Sequence, residues 1–238
     1  MTPVRPHTTV VLAMSADGKI ADQRRSPARF GSAADRAHLE QQIAQADGVL
    51  FGAGTLRAYG TTLPVSSPAL LQQRQQQGQP PQPIQIVCSA TAQLDPTYRF
   101  FSQSVPRWLL TTPTGAQLWA NTAANTAAFE HIVSVPLTAT EPAMGLDMQA
   151  ALTQIHAAGL RRLVVAGGGE LVASLLAIDA VDELWLTVCP LLLGGQTAPT
   201  PIGGSGYLSD AAPRLELLSV AAIAHEVFLH YRLHRLED

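Results

Sequence analysis

The 238-residue sequence is poor in charge and in aromatics, with 14% Asp, Glu, Lys and Arg and 5% Phe, Trp and Tyr. Its 15 basic side chains are scattered, and 18 acidic ones leave a net charge of -3. The basic face that nucleic-acid binding requires is therefore missing, and no nucleic-acid partner is expected. Cysteine is scarce too: Cys88 and Cys189 each end an apolar run without CxxC spacing. A disulfide framework or zinc site is not indicated, and buried reduced thiols are expected. Of His225, His230 and His234 only the last two are in phase on a strand, with Arg232 between them, so a solvated edge is expected and no metal. No apolar span reaches membrane length, and the run 10–14 is too short for a signal-peptide core, with Asp17 close behind. A cytoplasmic protein with no membrane partner is expected.

What is present is apolar: 47% of the residues are hydrophobic, enough for one large α/β domain over 1–238. Short apolar runs at 8–14, 48–51, 84–88, 108–110, 132–135 and 163–166 are bounded by turn residues and read as strands buried on both faces. Helical patterns lie between some of them. Ser32 with Asp35 has the form of a capping box ahead of Leu39 and Ile43, and Asp147 precedes Ala151, Leu152 and Ile155. A further helix is expected after Gly169. Alternation of strand and helix predicts a mostly parallel multi-stranded sheet flanked by helices. Segments 184–189 and 225–234 have no clear helix between them and are expected to pair antiparallel at the C-terminal edge, with Val227, Leu229, Tyr231 and Leu233 on one face. The Gln/Pro-rich stretch at about 66–83 is expected to be a flexible loop.

Two glycine turns follow β-branched apolar runs: Phe51-Gly52-Ala53-Gly54-Thr55, and Val164-Val165-Ala166-Gly167-Gly168-Gly169-Glu170-Leu171. A strand that ends in glycines and opens a helix aims free N–H groups at a phosphate. Two such turns are expected to hold opposite parts of one dinucleotide along the carboxyl edge of the sheet. The GxGxxG fingerprint fails, however. The first strand runs into Ser15-Ala16-Asp17-Gly18-Lys19, and Arg57 stands where the third glycine after Gly52 and Gly54 belongs. A nucleotide is thus held in some other manner than a standard Rossmann site.

In order and spacing, five motifs resemble the pyrimidine reductase family of riboflavin biosynthesis, the reductase domain of bifunctional deaminase/reductases, which has a dihydrofolate-reductase-like fold. They are Met14-Ser15-Ala16-Asp17-Gly18-Lys19-Ile20-Ala21, the segment from Ala46 to Thr55, Gly167-Gly168-Gly169 with Leu171, Val181-Asp182-Glu183-Leu184, and Pro190-Leu191-Leu192-Leu193-Gly194-Gly195. The resemblance implies hydride transfer from NADPH to the sugar C1′ of a ribosylaminopyrimidine phosphate, and commonly a homodimer. By matching position it puts Ala13, Gly52, Gly54, Thr55, Ser89, Gly167, Gly168, Gly169, Glu170 and Leu171 at the cofactor, with Phe30 and Ser32 beside the nicotinamide. Ser15 and Leu63 would meet substrate. Asp17 and Lys19 stand where a carboxylate would orient or protonate the substrate and an ammonium would meet a phosphate or carbonyl. Asp17-Gly18 also makes a good turn, and a solvated lysine is the plain alternative for Lys19. The chain departs from the family pattern on the substrate side, with Ile43, Tyr59, Ser66 and Ala166 at positions that usually carry an arginine, an acid, an arginine and a glutamate. Arg57 or Arg29 would supply positive charge from another direction if recognition is relocated. A diverged reductase of another pteridine-like or imine substrate, and a non-catalytic nucleotide-binding module, are the competing readings.

Overall fold

The protein is described from a computed structural model covering residues 4–121, 128–138 and 145–234. Its strands are β1 (His7–Ser15), β2 (Gly48–Gly52), β3 (Ile84–Cys88), β4 (Arg107–Thr111), β5 (His131–Ser134), β6 (Arg162–Val165), β7 (Glu183–Cys189), β8 (Arg214–Ile223) and β9 (Glu226–His234). The helices are α1 (Ala33–Gln45), α2 (Ala53–Tyr59), α3 (Pro68–Gln76), α4 (Pro113–Ala120), α5 (Met148–Ala157) and α6 (Gly169–Leu176). The strands form one nine-stranded sheet in the order β5-β4-β3-β2-β6-β1-β7-β9-β8. The pairs from β5 through β7 are parallel; β7–β9 and β9–β8 are antiparallel. The expected parallel sheet with an antiparallel C-terminal edge is therefore found.

The apolar runs divide their residues between two cores because successive strand side chains point to opposite faces. Val10, Leu12, Leu50, Ile86, Leu110 and Val165 pack with Leu152 and Ile155 of α5 and Leu171 and Leu175 of α6. Val11, Val49, Phe51, Val87, Leu109 and Val164 pack on the other face with Ile43 of α1, Leu56 of α2 and Trp119 of α4. Ser32 caps α1, its Oγ accepting from Ala34 N and Asp35 N, and Asp147 caps α5 through Ala150 N. Both local signals held. Cys88 and Cys189 are buried free thiols.

Two elements differ from expectation. Residues 66–83 are not a free loop, since they contain α3. Its Arg74 is buried, donating from Nε to Pro80 O and from one guanidinium nitrogen to Ala44 O and Ala46 O. That cation satisfies orphan carbonyls at the C-terminal end of α1, while Glu40 of α1 accepts from Ser66 N and Ser67 N at the start of α3. Polar composition hid an anchored helix. The second difference is β8, an unanticipated edge strand exposed along nearly its whole length, with a register shift between Leu217 and Ser219. His230 is likewise not solvated: it stacks on Trp185 with ring centroids 3.9 Å apart, and its Nε2 lies 2.9 Å from Glu183.

Two motif acids prove to be fold staples. Asp47 accepts from Arg161 N and Arg162 N, tying the start of β6 to β2. Asp182 accepts from Arg5 and from Thr8 N, tying β1 to β7. Burial pushes the Asp182 carboxyl up, but the Arg5 guanidinium and the Thr8 amide together hold it below its ordinary value. A depressed folded-state pKa gives stability that is present above the unfolded pKa and is lost as pH falls through the folded one. Asp182→Ala is expected to cost about 3 kcal/mol near neutral pH. In urea denaturation the gap between wild type and variant should narrow as the pH is lowered into the carboxylate range.

Candidate active site

The carboxyl ends of β3, β2, β6, β1 and β7 lie side by side, a row about 19 Å long at the usual strand spacing. Both glycine turns sit on this rim, and they adjoin. Because β2 and β6 are neighbours, Gly52 N donates to Gly167 O at 3.1 Å and Ala166 N to Leu50 O at 3.0 Å. Thr55 Oγ1 lies against the Gly167-Gly168 peptide, which is cis: a Cβ on Gly167 or Gly168 would stand 3.5 or 3.6 Å from it. The turns thus form one continuous glycine surface on the rim. Gly167 has φ +107°, a conformation that favours glycine. Gly54 is exposed, with nothing within 4 Å of where a side chain would begin. Gly168 caps α6 without a side chain, so the first-turn amides have no side-chain cap.

Other residues expected at the cofactor are committed to the fold. A Cβ on Gly169 would come within 2.3 Å of Thr200 O, and Gly169 O accepts from Gly203 N, so this glycine is required by the loop packed over it. Glu170 accepts from Gly204 N and fixes the same loop. Leu171 is buried in the core, so its side chain faces away from the rim. Ser89 stands just past β3 and is buried, its amide donating to Leu110 O. Ala13 is half-buried on β1 opposite Thr187, and Phe30 is half-buried on the segment before α1. The Ser32 hydroxyl caps α1 and donates to Glu226, and so is spent on structure instead of on a nicotinamide.

The residues expected to act on substrate are also rearranged. Asp17 accepts from Ser15 Oγ at 2.6 Å, Leu193 N at 3.0 Å and Gly194 N at 2.6 Å. Ser15 and then the two amides hold its carboxyl at about 2, so at neutral pH it has no proton to give. It secures the Leu193-Gly194 turn. Ser15 is fully buried, accepting from Lys19 N and donating to Asp17, which leaves it out of substrate's reach. Lys19 reaches Ala198 O at 3.4 Å. Leu63 packs against the core next to Thr62, which bonds the Gln85 side chain at the start of β3, a strand's length from the rim. Ile43 is core, Ser66 is tied to Glu40, and Ala166 sits on the rim as a small residue.

Sequence reasoning missed a pair of acids at the β7–β9 end of the rim. Asp35, read only as part of a cap, is half-buried in the first turn of α1 and hydrogen-bonded to Thr187. Burial pushes its carboxyl up, the Thr187 bond pulls it down, and the nearby Glu226 pushes it up again, with a net rise. Glu226 begins β9 and is 3% exposed. Nothing local in the sequence reveals it, because its partners lie nearly two hundred positions earlier. Tyr59 lies within electrostatic reach of Arg29 and Asp35, and its hydroxyl donates to Ala28 O at 3.0 Å. Among the described residues, no group of three or more His, Cys, Asp or Glu is placed to hold a metal, and no helix is long and apolar enough to cross a membrane.

The profile of the RibD C-terminal domain family matches residues 6–229. The chain belongs to that family. It is 30% identical over 208 residues to the 2,5-diamino-6-ribosylamino-4(3H)-pyrimidinone 5′-phosphate reductase of Archaeoglobus fulgidus, covering 86% of this chain and 90% of that one. The reductase of the same name from Methanothermobacter thermautotrophicus is 25% identical, covering 96% of this chain and 98% of that one. In fold it is similar to a pyrimidine reductase-like protein from Corynebacterium diphtheriae, with a TM-score of 0.76 at 22% identity over 97% of this chain and 92% of that one. Membership in this riboflavin pyrimidine reductase family makes the protein an oxidoreductase.

The glycines of the rim separate by substitution. Gly169→Ala should lower thermal stability by roughly 1–3 kcal/mol through overpacking against residues 200–203. Gly54→Ala, in open space within α2, should leave the melting temperature unchanged or raise it. Calorimetric melting of both variants checks the pair.

Proposed function

We propose that the protein is an NADPH-dependent reductase of riboflavin biosynthesis. It would open the ribose of 5-amino-6-(5-phosphoribosylamino)uracil, or of its diaminopyrimidinone analogue, to a ribityl chain. The observation that carries this reading is the juxtaposition on one rim of an uninterrupted glycine surface and, toward β7, a half-buried acid whose pKa is raised. The cofactor fits the first. Gly52, Gly54, Gly167 and Gly168 would let backbone approach the pyrophosphate, Thr55 would add a hydroxyl, and the uncapped first turn of α6 would add amides and a favourable dipole. Bound there, the cofactor would supply the hydride that C1′ accepts.

Asp35 would supply the proton. As the bond between C1′ and the ring oxygen breaks, its electron pair goes to that oxygen, which takes the Asp35 proton, and C1′ is left as an iminium with the exocyclic nitrogen. One proton and one hydride per ribose balance the reduction. An acid whose pKa is raised by burial is better suited to hold that proton than an exposed carboxylate. Arg29, Arg57 and Tyr59 on the open side of α2 are the groups available to a phosphate in place of the family's arginines, since Ile43 is core and Ser66 is tied to Glu40. That same replacement favours, as a second reading, a reductase of a related imine. Rescue of a reductase-deficient riboflavin auxotroph supports the first reading over the second.

A homodimer fits the edge of the sheet. Leu215, Leu217, Val220 and Ile223 of β8 are 44–60% exposed, and an isologous partner laid on this edge would cover them. Leu217→Asp with Val220→Asp should shift the protein from dimer to monomer in analytical ultracentrifugation.

With NADPH and the ribosylaminopyrimidine phosphate, wild type should turn over, and Asp35→Asn should lose on the order of 10²–10⁴-fold in kcat. Wild-type kcat/KM should fall as pH rises through the raised Asp35 pKa, because the protonated form is the active one. Calorimetry should show NADPH bound more tightly than NADH. Absence of binding to either contradicts the reading.

A further inference from the structure

The rim contains a second buried acid with no part in the chemistry above. We infer that Glu226 is a positioning residue for the reaction, a carboxylate on β9 that grips the N-terminus of α1 and thereby sets where Asp35 stands. The inference rests on the role given to Asp35 under the proposed function. Its basis is a continuous chain of contacts. Glu226 Oε1 accepts from Ser32 N at 2.8 Å, and its Oε2 accepts from Ser32 Oγ at 2.5 Å. Ser32 Oγ in turn accepts from Ala34 N at 3.0 Å and Asp35 N at 3.3 Å. Cys189 Sγ completes the shell at 3.6 Å from Oε1.

A buried carboxylate is costly to desolvate, and two donors from one residue together with the positive end of a helix offset that cost. Glu226 continues into Val227, Phe228 and Leu229, and its register partner on β8 is Ile223. What it holds is the end of the irregular connection 16–32, on which the angle of entry into α1 depends. Because β9 is laddered to β7, the grip references α1 to the same strand whose Thr187 bonds Asp35. The ionisable groups facing the pair are Cys189 on β7, Tyr59 on α2 with Arg29 beside it, and, one turn deeper, His38 on α1 with His230 on β9. The Cys189 thiol is pushed up to about 12 by burial and by the two acids, so it stays neutral. Tyr59 is likewise pushed up, and burial keeps His38 below its ordinary value. Glu226 is the neighbouring acid that, after burial, raises Asp35.

The test compares Glu226→Gln, which keeps shape and one acceptor, with Ser32→Ala, which removes the hydroxyl half of the grip, leaves the backbone amide donor in place and keeps the charge. In Glu226→Gln, kcat should fall roughly tenfold with KM for NADPH unchanged, and the basic limb of the pH profile should move down by on the order of one unit as the like charge is removed. In Ser32→Ala kcat should fall while the limb moves less. The Asp35 carboxyl, followed by carbon NMR in protein without substrate, should titrate lower in Glu226→Gln. A Glu226→Gln enzyme with wild-type kcat and an unmoved Asp35 titration overturns the inference. So does one that loses melting temperature alone, which would make Glu226 merely structural. If wild type leaves the pyrimidine substrate unreduced, the reading of the reaction fails by itself. The substrate-free titration then still decides whether Glu226 governs Asp35.

Discussion

The site depends on the adjacency of β2 and β6, continued one step past both strands by the hydrogen bond from Gly52 N to Gly167 O. Two chain segments more than a hundred residues apart are thereby fused into a single glycine surface. Everything else on the rim is referenced to it. Thr55 lies against the Gly167-Gly168 peptide, α2 and α6 spring from the two turns on opposite faces of the sheet, and β1 lies next to β6 with Ala13 near its carboxyl end. Side chains larger than hydrogen on this surface would hold a ligand away from the backbone.

The motifs of the chain sort into two physical jobs. Asp17, Asp47, Glu170 and Asp182 each accept backbone amides from distant segments and close the loops or strand starts around the sheet. In the proposed reaction the groups that meet a ligand are the backbone of the glycine turns, Thr55, and the acid on α1. The Ile43 side chain is core, and Arg74 of α3 satisfies the carbonyl end of α1 from within. In the proposed function Arg29 and Arg57, both exposed, are the charges offered to an anionic substrate.

The sheet was legible because its strands are short, doubly buried and punctuated, and the caps Ser32 and Asp147 were legible because capping is local. What escaped was nonlocal or exposed. The helix α3 hides in a Gln-rich run whose single decisive residue, Arg74, is anchored by carbonyls thirty positions away. In β8 most residues are exposed and the register shifts at Leu217/Ser219, so no period of two survives to be read. At the site, position matching named the glycines and Thr55, which the fold brings together on one rim, and also Ser15, Asp17, Ser32 and Glu170, whose polar atoms bond within the fold. It passed over Asp35, whose capping-box spacing offered a sufficient local explanation, and Glu226, whose meaning depends on β9 meeting α1.

The central claim is that this rim aligns a nicotinamide with the sugar carbon of the pyrimidine substrate. Reaction with NADPH carrying deuterium stereospecifically at C4, followed by mass and NMR analysis of the product, tests it most directly. One deuterium at C1′ of a ribityl chain is the predicted result. A ribityl product without deuterium from either C4 face, or NADPH left unconsumed beside intact substrate, would contradict it.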